Sequence, residues 1–126
     1  PQIILETSER VFYDYFVRQD IKIDYLHIDG DHSYEGVKKD FELYSTIMSE
    51  NGLITIHDTD KSYHDTLVVA EGAKKDFVPF DGPAKFVNEL KNNSEWDLVN
   101  LKNFRNFTSK ATSTGIVLLG RKIENE

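Results

Sequence analysis

Two short apolar segments, each running into acidic residues and separated by one amphipathic stretch, constrain this chain more than any other feature. The first, residues 21–29, places Ile21, Ile23 and Tyr25 on one alternating face and Leu26 and Ile28 on the other. A strand apolar on both faces suits the centre of a covered, mostly parallel sheet. Tyr34, Val37, Phe41, Tyr44 and Met48 then recur on one helical stripe, with Glu35, Lys38, Lys39, Asp40 and Glu42 mostly off it. Asn51-Gly52 offers a left-handed residue to end that helix. A second apolar run, residues 53–57, leads directly into Asp58. Strand, helix and strand of these lengths imply a right-handed parallel crossover and an α/β fold.

The flanking sequence extends this unit. Thr7 or Ser8 can cap a helix in which Val11, Phe12, Tyr15 and Phe16 recur at helical spacing. Residues 3–5, all aliphatic, read as a strand. Gly82-Pro83 opens another helix, with Phe86, Val87 and Leu90 turned inward and residues 92–94 ending it. Residues 95–101 and 115–121 read as two last strands. Between these elements, residues 60–65 read as a polar loop, 66–75 as a short helix weakened by Gly72, and 110–114 as a Ser/Thr-rich loop. There is no internal repeat, and 126 residues suit a single domain spanning 1–126.

Composition excludes several classes of chemistry. Fifteen Lys and Arg against 22 Asp and Glu give a net charge of −7, which opposes general nucleic-acid binding. With no cysteine, there can be no disulfide framework, Cys-ligated metal or thiol nucleophile. No apolar run reaches the roughly 18 residues of a membrane span, so no membrane partner is expected and a cytoplasmic setting is.

The chemistry concentrates where the two strands end. In open α/β sheets, ligands bind beyond the carboxyl ends of the strands. One strand here ends in Asp29, Gly30, Asp31 and His32, the other in His57, Asp58, Thr59 and Asp60. If the strands are neighbours, Asp29 and Asp58 emerge side by side. Two close carboxylates repel unless a cation or proton lies between them, and a hard divalent ion such as Mg²⁺ meets that need. A neighbouring histidine can serve as general base near neutral pH. Structural uses of the same residues stand beside this one. Asp31 or Ser33 can cap the following helix, and Asp29 can hold the turn through backbone N–H groups. His27 fits a satisfied core histidine and His64 a solvated loop residue. Phe104, Arg105 and Phe107 can line a pocket, although loop packing accounts for them better.

Residues 24–40, DYLHIDGDHSYEGVKKD, and residues 51–59, NGLITIHDT, resemble the class I S-adenosylmethionine-dependent methyltransferases. The likeness is to the small-molecule O-methyltransferase branch that includes macrocin-type and cephalosporin-hydroxylase-like proteins. The resemblance implies a Rossmann-like, mostly parallel sheet with helices on both faces and a closing antiparallel strand pair. Residues 3–5 would be the family's third strand, 24–29 its fourth and 53–57 its fifth. It also implies S-adenosylmethionine as cofactor, with Thr7, Ser8 and Asp29 on its binding side, and a small-molecule or sugar hydroxyl as methyl acceptor. Asp29, His57 and Asp58 would hold a divalent metal, Mg²⁺ or Mn²⁺, and His32 would take the acceptor's proton. His57 stands where relatives have a carboxylate, and imidazole favours softer ions than Mg²⁺.

The family's glycine-rich cofactor loop has no counterpart: no two of the seven glycines are separated by a single residue. The chain also opens at Pro1, directly before an apolar run. It is therefore expected to be a C-terminal fragment lacking the N-terminal cofactor-binding half. Without the family's first strand, the fourth becomes an exposed edge. Either residues 3–5 cover it, or two copies associate through it. Two other functions fit the Asp-Gly-Asp turn: a metal-dependent phosphohydrolase or glycosyltransferase, and a non-catalytic incomplete domain.

Overall fold

In the computed structural model, the described residues are 1–59, 82–101 and 115–123. The expected loop at 60–65, the helix at 66–75, the loop at 110–114, His64, Phe104, Arg105 and Phe107 lie outside them.

Thr7 caps the first helix, α1 (Ser8–Val11), its hydroxyl accepting from the Arg10 N–H. The chain continues as a π-helical turn, Phe12–Val17, then enters β1 (Ile23–Ile28). Helix α2 spans Tyr34–Tyr44, a 3₁₀ turn Ser45–Ile47, and β2 Met48–His57. Helix α3 (Gly82–Leu90) precedes β3 (Trp96–Leu101) and β4 (Ile116–Arg121). The strand order is β1-β2-β4-β3. β1 and β2 run parallel, with Leu26 opposite Ile54 and Ile28 opposite Ile56, as the crossover requires. β4 runs antiparallel to both β2 and β3, giving the expected closing pair.

The core forms because even-numbered residues of β1 and β2 share one face. Ile54, Ile56, Val117 and Leu119 are fully buried there beneath Val37 and Phe41 of α2 and Phe86, Val87 and Leu90 of α3. Phe41 meets both Phe86 and Trp96 edge to face, an arrangement that adds to the area buried. A second cluster seats α1 and the π-turn on α2, where Phe12 and Phe16 both contact the Tyr44 ring. Ion pairing of Lys39 with Glu9, and the Tyr44 hydroxyl donating to the Ser8 carbonyl, fix that contact.

Three expectations need correction. Among the described residues, 3–5 form no strand and pair with none, and Ile3 and Leu5 are 84% and 92% exposed. β1, read as central from its two apolar faces, is an edge among the described residues, as the absence of the family's first strand led one to expect, and Tyr25 on its odd-numbered face is largely exposed. Among the described residues, α2 and α3 pack on the same face of the sheet. The helix ends at Tyr44 rather than at Asn51-Gly52, which lies within β2 at an irregular register. No helix among the described residues is long and apolar enough to cross a membrane.

Candidate functional site

The crossover brings the carboxyl ends of β1 and β2 together, and the side chains beyond those ends converge. Asp58, immediately after β2, adopts a left-handed backbone at φ 59°, and its N–H donates to the Gly115 carbonyl. Aspartate tolerates this conformation better than most side chains. Its carboxylate faces two imidazoles: Oδ1 lies 3.2 Å from His57 Nδ1 and Oδ2 lies 2.7 Å from His32 Nε2. Asp29 presents Oδ1 to the same pair, 3.3 Å from His57 Nδ1 and 3.7 Å from His32 Nε2. Donor atoms of Asp29, His32 and Asp58 all lie within 4.8 Å of one another. The two carboxylates thus converge with His32, with His57 alongside, and carboxylate oxygen and imidazole nitrogen are donors of the kinds that first-row divalent ions accept.

The turn carrying His32 is held by its neighbours. The Ser33 N–H donates to Asp31 Oδ1 at 2.8 Å, and Ser33 Oγ caps α2 by accepting from the Gly36 N–H. That backbone donation, joined by the Ser33 hydroxyl and the nearby His32 charge, lowers the Asp31 pKa below its ordinary value. Asp31 therefore shapes the turn and is not among the converging ligands, the structural use weighed for it from the sequence. Gly36 leaves room for this arrangement, since a Cβ there would overlap the Asp31 carboxyl group.

The residues expected to act together are adjacent, with one rearrangement. His32, expected as the base, sits inside the acidic cluster, while His57, expected as a ligand, flanks it and touches both carboxylates. Ser8 and Asp29 line one cleft of about 340 Å³ between α1, the end of β1 and α2, shared with Gly30, Asp40 and Tyr44. Such a volume admits a small ligand. The Ser8 hydroxyl donates to Asp40 there, whereas Thr7 is committed to capping α1. His27 is not a core histidine: it is partly exposed, and its Nδ1 shares a 2.7 Å hydrogen bond with the Thr55 hydroxyl. Thr55 and Tyr25 carried no signal in the sequence, because their role depends on which residues the parallel register sets opposite one another.

The expected family resemblance is borne out at the level of domain and fold. Residues 2–59 match the family model described as a methyltransferase domain. An uncharacterized protein, y4gI, of Sinorhizobium fredii is 39% identical over 46 residues, covering 36% of this chain and 5% of that protein. Among solved structures, this fold is similar to a candidate caffeoyl-CoA O-methyltransferase from Staphylococcus aureus, at TM-score 0.64 and 14% identity, covering 96% of this chain and 51% of that one. It is also similar to the O-methyltransferase TomG from Streptomyces achromogenes, involved in tomaymycin synthesis and solved in complex with S-adenosylmethionine. There the TM-score is 0.60 at 9% identity, over 91% of this chain and 47% of that one. The chain thus spans about half the length of these solved relatives, and its fold is the Rossmann-like one they share.

Proposed function

We propose that this chain is the acceptor-side part of an S-adenosylmethionine-dependent O-methyltransferase acting on a hydroxyl group of a small molecule or sugar. The observation that carries the reading is the convergence of Asp29, His32 and Asp58 beyond the parallel strand pair. The methyltransferase-domain match over residues 2–59 and the solved O-methyltransferases of the same fold support it.

His32 is the group that takes the acceptor's proton. Its Nε2 lies 2.7 Å from Asp58 and 3.7 Å from Asp29, so the imidazolium formed is met by negative charge already in place. The acceptor oxygen then bonds to the methyl carbon as the carbon–sulfur bond breaks, and the sulfur keeps the electron pair. Asp29 and Asp58, with His57 beside them, are the residues that would hold a divalent cation. Bound there, such an ion lowers the pKa of a coordinated hydroxyl and orients it. The cleft containing Ser8 and Gly30 is assigned to the cofactor side.

The test is transfer of a labelled methyl group from S-adenosylmethionine to a panel of hydroxylated small molecules and sugars, using the full-length protein with Mn²⁺ or Mg²⁺. Metal-dependent transfer that drops about a hundredfold or more in His32→Ala is expected. No transfer, with no heat on calorimetric titration with S-adenosylmethionine, overturns the reading.

The open edge of β1 adds a proposal about assembly. Its outer N–H and C=O groups have no strand partner among the described residues, and such an edge templates pairing with another chain. Sedimentation velocity of the 126-residue chain is expected to show a dimer, and a monomer at all concentrations contradicts this.

A further inference from the structure

On the sheet face opposite α2, three side chains form a line leading to Asp29. The Tyr25 hydroxyl lies 2.9 Å from Thr55 Oγ1, and Thr55 Oγ1 lies 2.7 Å from His27 Nδ1. At the far side of the same ring, His27 Nε2 lies 4.0 Å from Asp29 Oδ2. The parallel register sets His27 opposite Thr55, so the backbone itself fixes the spacing.

The protons on this line can run in two directions. A hydroxyl carries one proton, so Thr55 donates either to His27 or to Tyr25. If Thr55 donates to Tyr25, His27 carries its proton on Nδ1, and its Nε2 lone pair faces the Asp29 carboxylate. If Tyr25 donates to Thr55 and Thr55 to Nδ1, the ring proton sits on Nε2 and faces that carboxylate. The second direction places positive edge against negative charge, and the first places two acceptors against each other. Thr55 is buried, 4% exposed, so water does not compete freely for its hydroxyl.

We infer that His27, with its tautomer set by Tyr25 and Thr55, is a positioning residue that fixes the Asp29 carboxylate through Oδ2, leaving Oδ1 turned toward His32 and His57. This rests on the reading of Asp29 as a metal-holding residue. Outer partners of this kind affect metal affinity roughly ten- to a hundredfold. His27 touches neither reacting atoms nor the ion in this scheme.

The experiment measures Mn²⁺ affinity by electron paramagnetic resonance in His27→Gln, His27→Asn, His27→Phe and Thr55→Val, alongside the ¹⁵N signals of the His27 ring at mildly alkaline pH. A Gln amide reaches the Nε2 position and can donate there, whereas Asn reaches only the Nδ1 position. Affinity within about threefold of the parent in His27→Gln, with a loss of about tenfold or more in His27→Asn, His27→Phe and Thr55→Val, is the expected pattern. The parent ring is expected to show an unprotonated Nδ1, and Thr55→Val is expected to lose that preference. Equal affinity in all four variants, or a protonated Nδ1 in the parent, overturns the inference. Absence of specific Mn²⁺ binding in the parent overturns instead the metal reading on which it rests. The ring tautomer remains a separate measurement of the relay in either case, and thermal unfolding of each variant separates misfolding from lost affinity.

Discussion

Asp58→Asn is expected to lower Mn²⁺ affinity and methyl transfer by about a hundredfold or more each, while leaving the unfolding temperature nearly unchanged. The substitution removes a full negative charge that faces His57 at 3.2 Å and His32 at 2.7 Å. Under the roles proposed for these residues, it strikes metal retention and stabilisation of the protonated base together. Asparagine is the informative replacement because the backbone here is left-handed, at φ 59°. Asn tolerates that conformation much as Asp does, whereas Ala adds roughly 1–2 kcal/mol of backbone strain and confuses the two effects. Parallel measurement of metal affinity, turnover and thermal unfolding checks the expectation. Unchanged affinity and rate would remove Asp58 from the site's chemistry.

Gly82→Ala is expected to destabilise the protein by about 2–3 kcal/mol, a fall in Tm on the order of 10 °C. A Cβ at Gly82 would overlap backbone atoms of His32, Ser33 and Tyr34, which cannot swing aside as a side-chain tip can. The cost therefore sits at the upper end for overpacking. The same contact makes α3 a buttress for the turn that carries His32. The variant is thus also expected to shift the His32 and Ser33 amide resonances. Gly120→Ala is the control: a Cβ there meets nothing within 4 Å, so the effect should stay within about 0.5 kcal/mol. Differential scanning calorimetry of the two variants decides the matter, and equal stability would show that α3 does not brace the turn.

The crossover was legible because both periodicities were strong. Apolar residues occupy both alternating faces of 21–29, and Val37, Phe41 and Tyr44, read as a helical stripe, are indeed buried. The end of that helix was misread for a physical reason. Met48 falls in phase with the stripe four residues after Tyr44, yet the intervening 3₁₀ turn rotates it into the first position of β2. Gly52 was read as a left-handed stop. In the fold its φ is not positive, and it is small because a Cβ would press on Met48 and lie 3.0 Å from the Ser49 carbonyl. Residues 3–5 looked like a strand from side-chain preference alone, but a strand exists only where another edge takes its hydrogen bonds.

The site was partly legible on the same grounds. Acidic residues at the ends of two neighbouring strands must meet, so Asp29 and Asp58 could be brought together without coordinates. Which histidine touches which oxygen could not be read, because it depends on the left-handed turn at Asp58 and on the cap at Ser33. His27 was assigned to the core because strand alternation gives the direction of a side chain but not what lies opposite it. Thr55 supplies that partner only in the observed register.

The most direct measurement is paramagnetic broadening of backbone amide signals on titration of the 126-residue chain with Mn²⁺. Amides of residues 29–32 and 57–59 should broaden first, together and saturably, with the Asp58→Asn variant losing the effect at both segments. Broadening confined to one of the two segments, or spread over surface acids such as Glu6 and Asp14, would contradict a shared site at the ends of β1 and β2.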